Sequence, residues 1–177
     1  MSGKLKNRYI FISASFPSKE QGVEYLQDFV PMLTMDAVSA ISREIFQAGG
    51  KIVNGGHPTI LPFMYSIGEE FKSKRKKDFP LISVYQTEYF RDKQTISSKK
   101  LSKNKIGEFI WIPESDNPPQ EEKAKREDAL AIMRNAMYEH KDIVAGIFIA
   151  GMKGIKDEFD LFQKSYPEKP FYVIGSC

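Results

Sequence analysis

The stretch Ile147-Phe148-Ile149-Ala150-Gly151-Met152-Lys153-Gly154-Ile155-Lys156-Asp157-Glu158 passes from an apolar run through two glycines, three residues apart, into an acidic amphipathic segment. That order of residues is a strand, a tight turn and a helix start. Such a turn aims backbone N–H groups and the positive end of a helix dipole at one point, and an anion is the usual occupant. Glu158, one helical turn in, faces the same space. Gly151, Lys153 and Gly154 therefore read as a floor for a phosphorylated small molecule, with an acid beside it. Taken alone, Lys153 reads equally well as a solvated loop lysine.

Three further groups fall at similar places. Asn54-Gly55-Gly56-His57 follows a short apolar run, and its glycines permit positive φ and close backbone approach. Ser13 and Ser15 follow another, where small hydroxyl side chains admit a ligand and can bond phosphate or ribose; they also suit an ordinary polar strand exit. Arg134 lies at the edge of an apolar helical stripe of Leu130, Met133 and Met137. A partly shielded guanidinium needs an anion: a phosphate, a ligand carboxylate or Glu158, or else a surface pairing with Glu127 or Asp128. With only two histidines and one cysteine in the chain, His57 is not expected to belong to a zinc site, and no metal is expected. Neither a Walker A sequence nor a full Gly-x-Gly-x-x-Gly fingerprint is present, which disfavours P-loop NTPases and standard dinucleotide dehydrogenases.

Alternating strands and helices must position these residues. Continuous apolar runs mark strands at 8–14, 51–54, 80–87, 107–112, 142–149 and 170–174. A polar loop with a short helix near 21–29 ends at Pro31. Thr34 can cap a helix to about Gln47, which Gly49-Gly50 ends, and Pro58 is placed to open a helix to about Phe71. Residues 88–105 read as loop or short helix, 121–140 as a clear helix, and 153–166 as the next one. Apolar runs without alternation fit strands covered on both faces. The expected fold is one α/β domain over residues 1–177, with a Rossmann-like, doubly wound, mostly parallel sheet and helices on both faces. In such a sheet the strand ends that carry these residues form the ligand site.

The chain has 177 residues, 41% apolar and 28% charged, with a net charge of +3, an ordinary globular composition. The charge is too small to argue for nucleic acid, and the basic runs Lys72–Lys77 and Lys99–Lys105 lack interleaved aromatics. The lone Cys177 excludes an internal disulfide and suits a reducing compartment. No apolar run is long enough to span a membrane, and no signal peptide is evident, so a cytoplasmic location is expected. The chain closes just after an apolar run, an ending that suits either a final strand or a module of a longer protein.

Taken together, these segments resemble the SLOG superfamily, the Rossmann-like nucleotide-binding group named for Smf/DprA and the plant LOG enzymes. The pieces that carry the resemblance are Phe11–Ser15, Gly49–Gly56, Met133-Arg134, Gly151–Glu158 and Lys169–Gly175, spanning nearly the whole chain. LOG-type phosphoribohydrolases carry Pro-Gly-Gly-x-Gly-Thr-x-x-Glu, in which the glutamate and a separate arginine serve N-glycosidic cleavage. Gly151, Gly154 and Glu158 match that pattern, with Arg134 as the counterpart of the arginine. Ala150, Met152 and Ile155 depart from it. The departures make the chain look more like SLOG sensor domains of bacterial antiphage systems such as Thoeris, which resemble receptors for NAD-derived signals and sit beside effector domains.

The resemblance thus implies a module that binds an ADP-ribose or cyclic ADP-ribose-like nucleotide in antiphage defence. Its ligand set would be Ser13, Ser15, Asn54, Gly55, Gly56, His57, Arg134, Gly151, Lys153, Gly154 and Glu158, with no cofactor. It also implies a homodimer, with a fused or associated effector domain. The alternative is a LOG- or deoxyribosyltransferase-like enzyme that cleaves the N-glycosidic bond of a nucleotide, with Glu158 and Arg134 catalytic. DNA handling in the manner of DprA ranks third.

Overall fold

The computed structural model describes residues 3–17, 29–74, 80–150 and 153–175. Among them six strands form one sheet: β1 (Tyr9–Ala14), β2 (Lys51–Asn54), β3 (Ile82–Thr87), β4 (Gly107–Ile112), β5 (Ile143–Ile149) and β6 (Phe171–Ile174). Five helices connect them: α1 (Pro31–Gln47), α2 (Leu61–Phe71), α3 (Ile96–Lys103), α4 (Glu122–Met137) and α5 (Lys153–Ser165). The strand order is β4-β3-β2-β1-β5-β6, and every neighbouring pair is parallel. The chain therefore winds outward from β1 to β4, then returns through α4 to start again at β5 on the other side of β1. This is the expected doubly wound α/β fold. Its switch point lies between β1 and β5, whose pairing runs from Tyr9↔Ile143, with a register shift before Ile10↔Ala145, to Ala14↔Ile149.

Side-chain alternation sends the two faces of each strand into separate cores. Ile10, Ile12, Ile52, Ile82 and Val84 pack with Val38 and Phe46 of α1, Leu61 and Met64 of α2 and Leu101 of α3. Phe11, Val53, Tyr85 and Phe148 pack with Met133 and Met137 of α4 and Phe162 of α5. Helices thus cover both faces of the central strands. At the edge, β6 departs from this: Phe171, Tyr172 and Val173 are exposed.

Several expected boundaries shift for local reasons. Helix α1 starts at Pro31, where the sequence suggests a break; at the first helical position a proline sacrifices no hydrogen bond and its fixed φ is already helical. Thr34 therefore lies inside the helix, fully buried, rather than capping it. Helix α2 starts at Leu61 rather than Pro58, because Ile60 and Leu61 both donate their N–H to the His57 carbonyl, at 3.1 and 3.0 Å, closing a turn first. The segment read as loop or short helix at 88–105 holds a 3₁₀ turn, Glu88–Lys93, and helix α3. Each has a threonine cap: Thr87 Oγ1 accepts from Tyr89 N–H at 3.3 Å, and Thr95 Oγ1 from Ser98 N–H at 3.2 Å. The short helix expected near 21–29 lies almost wholly outside the described residues, as do Gly151, Met152 and Cys177.

Candidate functional site

At the end of β2 the Asn54 side chain does two things. Its amide Nδ2 donates to the Ile12 carbonyl at 2.8 Å, pinning β2 to β1, and its Oδ1 accepts from Gly56 N–H at 2.7 Å, turning the chain. Gly56 has φ +70°, and a Cβ there would lie 2.8 Å from Val84 Cγ1, so only glycine fits. His57 follows with its Nδ1 2.8 Å from the Thr59 hydroxyl; burial lowers its pKa, which favours the neutral ring.

Helices α4 and α5 supply a charged pair. Arg134 Nε donates to Glu158 Oε1 at 3.4 Å, and the two side chains are only 18% and 15% exposed. The guanidinium thus pairs with Glu158 rather than with Glu127 or Asp128. Burial raises the pKa of the Glu158 carboxyl, opposed by the Ser13 hydroxyl and by Arg134. The guanidinium rests close to the first turn of α5: a Cβ on Gly154 would lie 3.2 Å from Arg134 Nη2, a tight contact. Two tyrosines brace the pair. Tyr138, one turn after Arg134, donates its hydroxyl to the Glu158 carbonyl at 2.5 Å, and Tyr166 donates to the Tyr138 carbonyl at 2.5 Å. Burial raises the Tyr138 pKa, so its hydroxyl keeps the proton and remains a donor.

Before α5, Ala150 adopts φ +61°, a left-handed conformation that costs a non-glycine residue about 1–2 kcal/mol. It occupies the place of the proline in the LOG pattern. A proline, locked near −65°, could not take this turn.

These pieces surround one cavity of about 300 Å³ above the carboxyl ends of β1, β2 and β3. Of the residues singled out in the sequence, Ser13, Ser15, Asn54, Gly55, Gly56, His57, Arg134, Gly154 and Glu158 line it. Lys153 does not; it is exposed at the start of α5. Gly151 lies outside the described residues. Ser15 lines the cavity, and its Oγ is buried with no hydrogen-bond partner among the described residues.

The far side of the cavity was missed in the sequence. Gln86 at the end of β3, Phe90 and Lys93 of the 3₁₀ turn, Gln94, Thr95 and Ser98 at the start of α3, Phe109 of β4 and Arg126 of α4 complete the lining. Arg126 carried a legible signal, since it precedes Leu130 and Arg134 at steps of four on one helix face. The others follow no periodic pattern. Three cations, Lys93, Arg126 and Arg134, thus meet one carboxylate, Glu158, and the N-terminal ends of α3 and α5 add positive dipole ends. Such a lining can attract an anion and offers hydrogen-bonding partners to hydroxyl or amide groups. Among the described residues no cluster of three or more His, Cys, Asp or Glu could hold a metal, and no helix is long and apolar enough to cross a membrane.

Comparison with known proteins finds one family match. The model of the SLOG cluster3 family matches residues 24–177, most of the chain and all of the cavity except Ser13, Ala14 and Ser15. No curated protein matches.

Proposed function

The chain belongs to the SLOG cluster3 family, and from that premise we propose that it binds a nucleotide-derived small molecule in the cavity at the switch point. The observation that carries the reading is the composition of that cavity. A glycine turn, a helix N-terminus and the Arg134–Glu158 pair converge on one space of about 300 Å³. In this reading the N–H groups of Gly55 and Gly154, with Arg134, hold phosphate. Glu158, whose Oε1 would be 3.9 Å from a Cβ on Gly55, accepts ribose hydroxyls. Lys153 is not required at the wall.

We further propose that the ligand is an NAD-derived ADP-ribose or cyclic ADP-ribose-like signal. The chain would then be the sensor module of a bacterial antiphage system, acting as a cytoplasmic homodimer with an effector domain. The SLOG resemblance supports this finer part. Incubation with ADP-ribose, cyclic ADP-ribose isomers, NAD and nucleoside monophosphates, followed by melting curves and mass spectrometry, tests it. A ligand-dependent rise in melting temperature with intact ligand is expected; no shift with any of them would sink the reading.

One observation favours a second reading. A buried carboxyl with a raised pKa beside an arginine is also how an acid–base residue is prepared. In an N-glycosidic cleavage Glu158 would activate water or attack the anomeric carbon, the bond to the base would break, and the departing base would take up a proton. Free base released by the wild type and not by Glu158→Gln would select this reading.

A further inference from the structure

The cavity has a second arm, over β3 and β4, made of residues of another kind. The 3₁₀ turn after β3 sets the half-buried Phe90 ring in its wall, outside both buried cores. Tyr89 braces the ring edge-on, with centroids 4.7 Å apart. Leu130 of α4 contributes apolar surface to the same lining. Two cations flank the ring: Lys93 Nζ lies 5.8 Å and Arg126 Cζ 6.0 Å from its centroid. Neither makes an ion pair among the described residues. Where the arm meets the glycine turn stands Gln86. Its Oε1 accepts from Thr87 N–H at 3.0 Å, which directs the NH₂ group toward Gly56, with Nε2 3.2 Å from the position of a Cβ there. Its amide therefore presents its NH₂ donors at the junction of the two arms.

A flat apolar wall with an amide donor at its edge matches an aromatic heterocycle that carries acceptor atoms. The flanking cations set its charge. A neutral base can stack beside Lys93 and Arg126, whereas a pyridinium ring would be repelled. We propose that this arm holds a neutral nucleobase, stacked on Phe90 with an acceptor atom of its edge on the Gln86 amide, and that it discriminates against a nicotinamide cation. The inference rests on the reading of the switch-point cavity as a nucleotide site, whose phosphoribosyl end lies at Gly55, Arg134 and Gly154.

Three probes separate the two layers of the argument: ribose 5-phosphate, AMP and nicotinamide mononucleotide, titrated calorimetrically into the full chain. AMP is expected to bind about 10-fold or more tighter than ribose 5-phosphate, within the range of base–aromatic stacking. Nicotinamide mononucleotide should bind no tighter than ribose 5-phosphate. Phe90→Leu should abolish the advantage of AMP and leave ribose 5-phosphate unchanged, and Phe90→Tyr, which keeps the ring, should retain the advantage. The base arm is overturned if AMP gains nothing over ribose 5-phosphate, if nicotinamide mononucleotide binds as well as AMP, or if Phe90→Leu weakens both phosphates equally. Ribose 5-phosphate binding with no gain from a base defeats the arm alone. Failure of all three probes to bind the wild type defeats the nucleotide reading and the arm with it.

Discussion

Removing one member of the Arg134–Glu158 pair should not be equivalent to removing the other. The Glu158 carboxylate is costly to bury, because desolvation is the largest influence on its pKa and raises it. Arg134 offsets part of that cost through one contact of 3.4 Å between side chains 18% and 15% exposed. Arg134→Leu keeps the stem's packing but leaves the carboxylate unpaired. Breaking a buried pair costs about 3–5 kcal/mol, and this loose, slightly solvated pair belongs at the low end. For a chain of 177 residues, about 3 kcal/mol lowers the melting temperature by about 6–12 °C.

Glu158→Gln removes the charge whose burial was unfavourable but leaves the Arg134 guanidinium facing only a neutral amide oxygen, so it should lose less stability than Arg134→Leu at pH 8, and this position then contributes no pH dependence between pH 4 and 8. The pH dependence follows from the sign of the shift. A carboxyl whose folded pKa lies above its unfolded value near 4.5 takes up a proton on folding, so stability falls as pH rises through that window and is fully restored below it. Arg134→Leu raises the folded pKa further, so its deficit should be largest at pH 8 and shrink toward pH 4. Urea denaturation of the wild type and both variants at pH 4, 6 and 8 reads this directly. An equal loss in Glu158→Gln and Arg134→Leu, or a deficit in Arg134→Leu that grows toward acid, would refute the account.

Three other outcomes follow from the same geometry. Ser15→Ala removes a buried hydroxyl that has no partner among the described residues, so the ligand-free protein should be as stable or slightly more so, while affinity for a phosphate-bearing ligand should fall by about 1 kcal/mol, roughly fivefold, by calorimetry. Gly56→Ala should destabilise by at least about 1–2 kcal/mol from the φ of +70° alone, before the contact with Val84 is counted, as chemical denaturation will show. An anion drawn to Arg134 repels the neighbouring carboxylate, so above pH 7, where the phosphate is already a dianion, ribose 5-phosphate should bind with proton uptake that is lost in Glu158→Gln; titration in two buffers of different ionisation enthalpy counts the proton.

Much of the scaffold was legible because parallel strands buried on both faces leave continuous apolar runs. Lys51–Asn54 was read to the residue, since glycines bound it on both sides. The near half of the cavity was legible too, since the residues after β1 and β2 and in the first turn of α5 are short-range consequences of strand ends. The far half was not. Phe90, Gln94 and Phe109 join the cavity only because β3 and β4 follow β2 outward in the strand order, and a single sequence does not encode that order locally. Pro31 shows the other kind of miss: the same residue starts a helix or ends one, and the segment preceding it decides which. At β6, an apolar run that reads as buried is exposed, because strand pattern does not reveal which strand will stand at the edge.

The hydroxyls of Tyr138 and Tyr166 have a kinetic consequence. By tying the Glu158 carbonyl to the end of α4, and the end of α4 to the end of α5, they fix the spacing of the two helices that carry the acid and the arginine. A ligand that arrives between them finds its charged contacts already set. Its association would then be governed by diffusion and the shedding of water, not by a helix movement, and differences among ligands would appear in how slowly they leave.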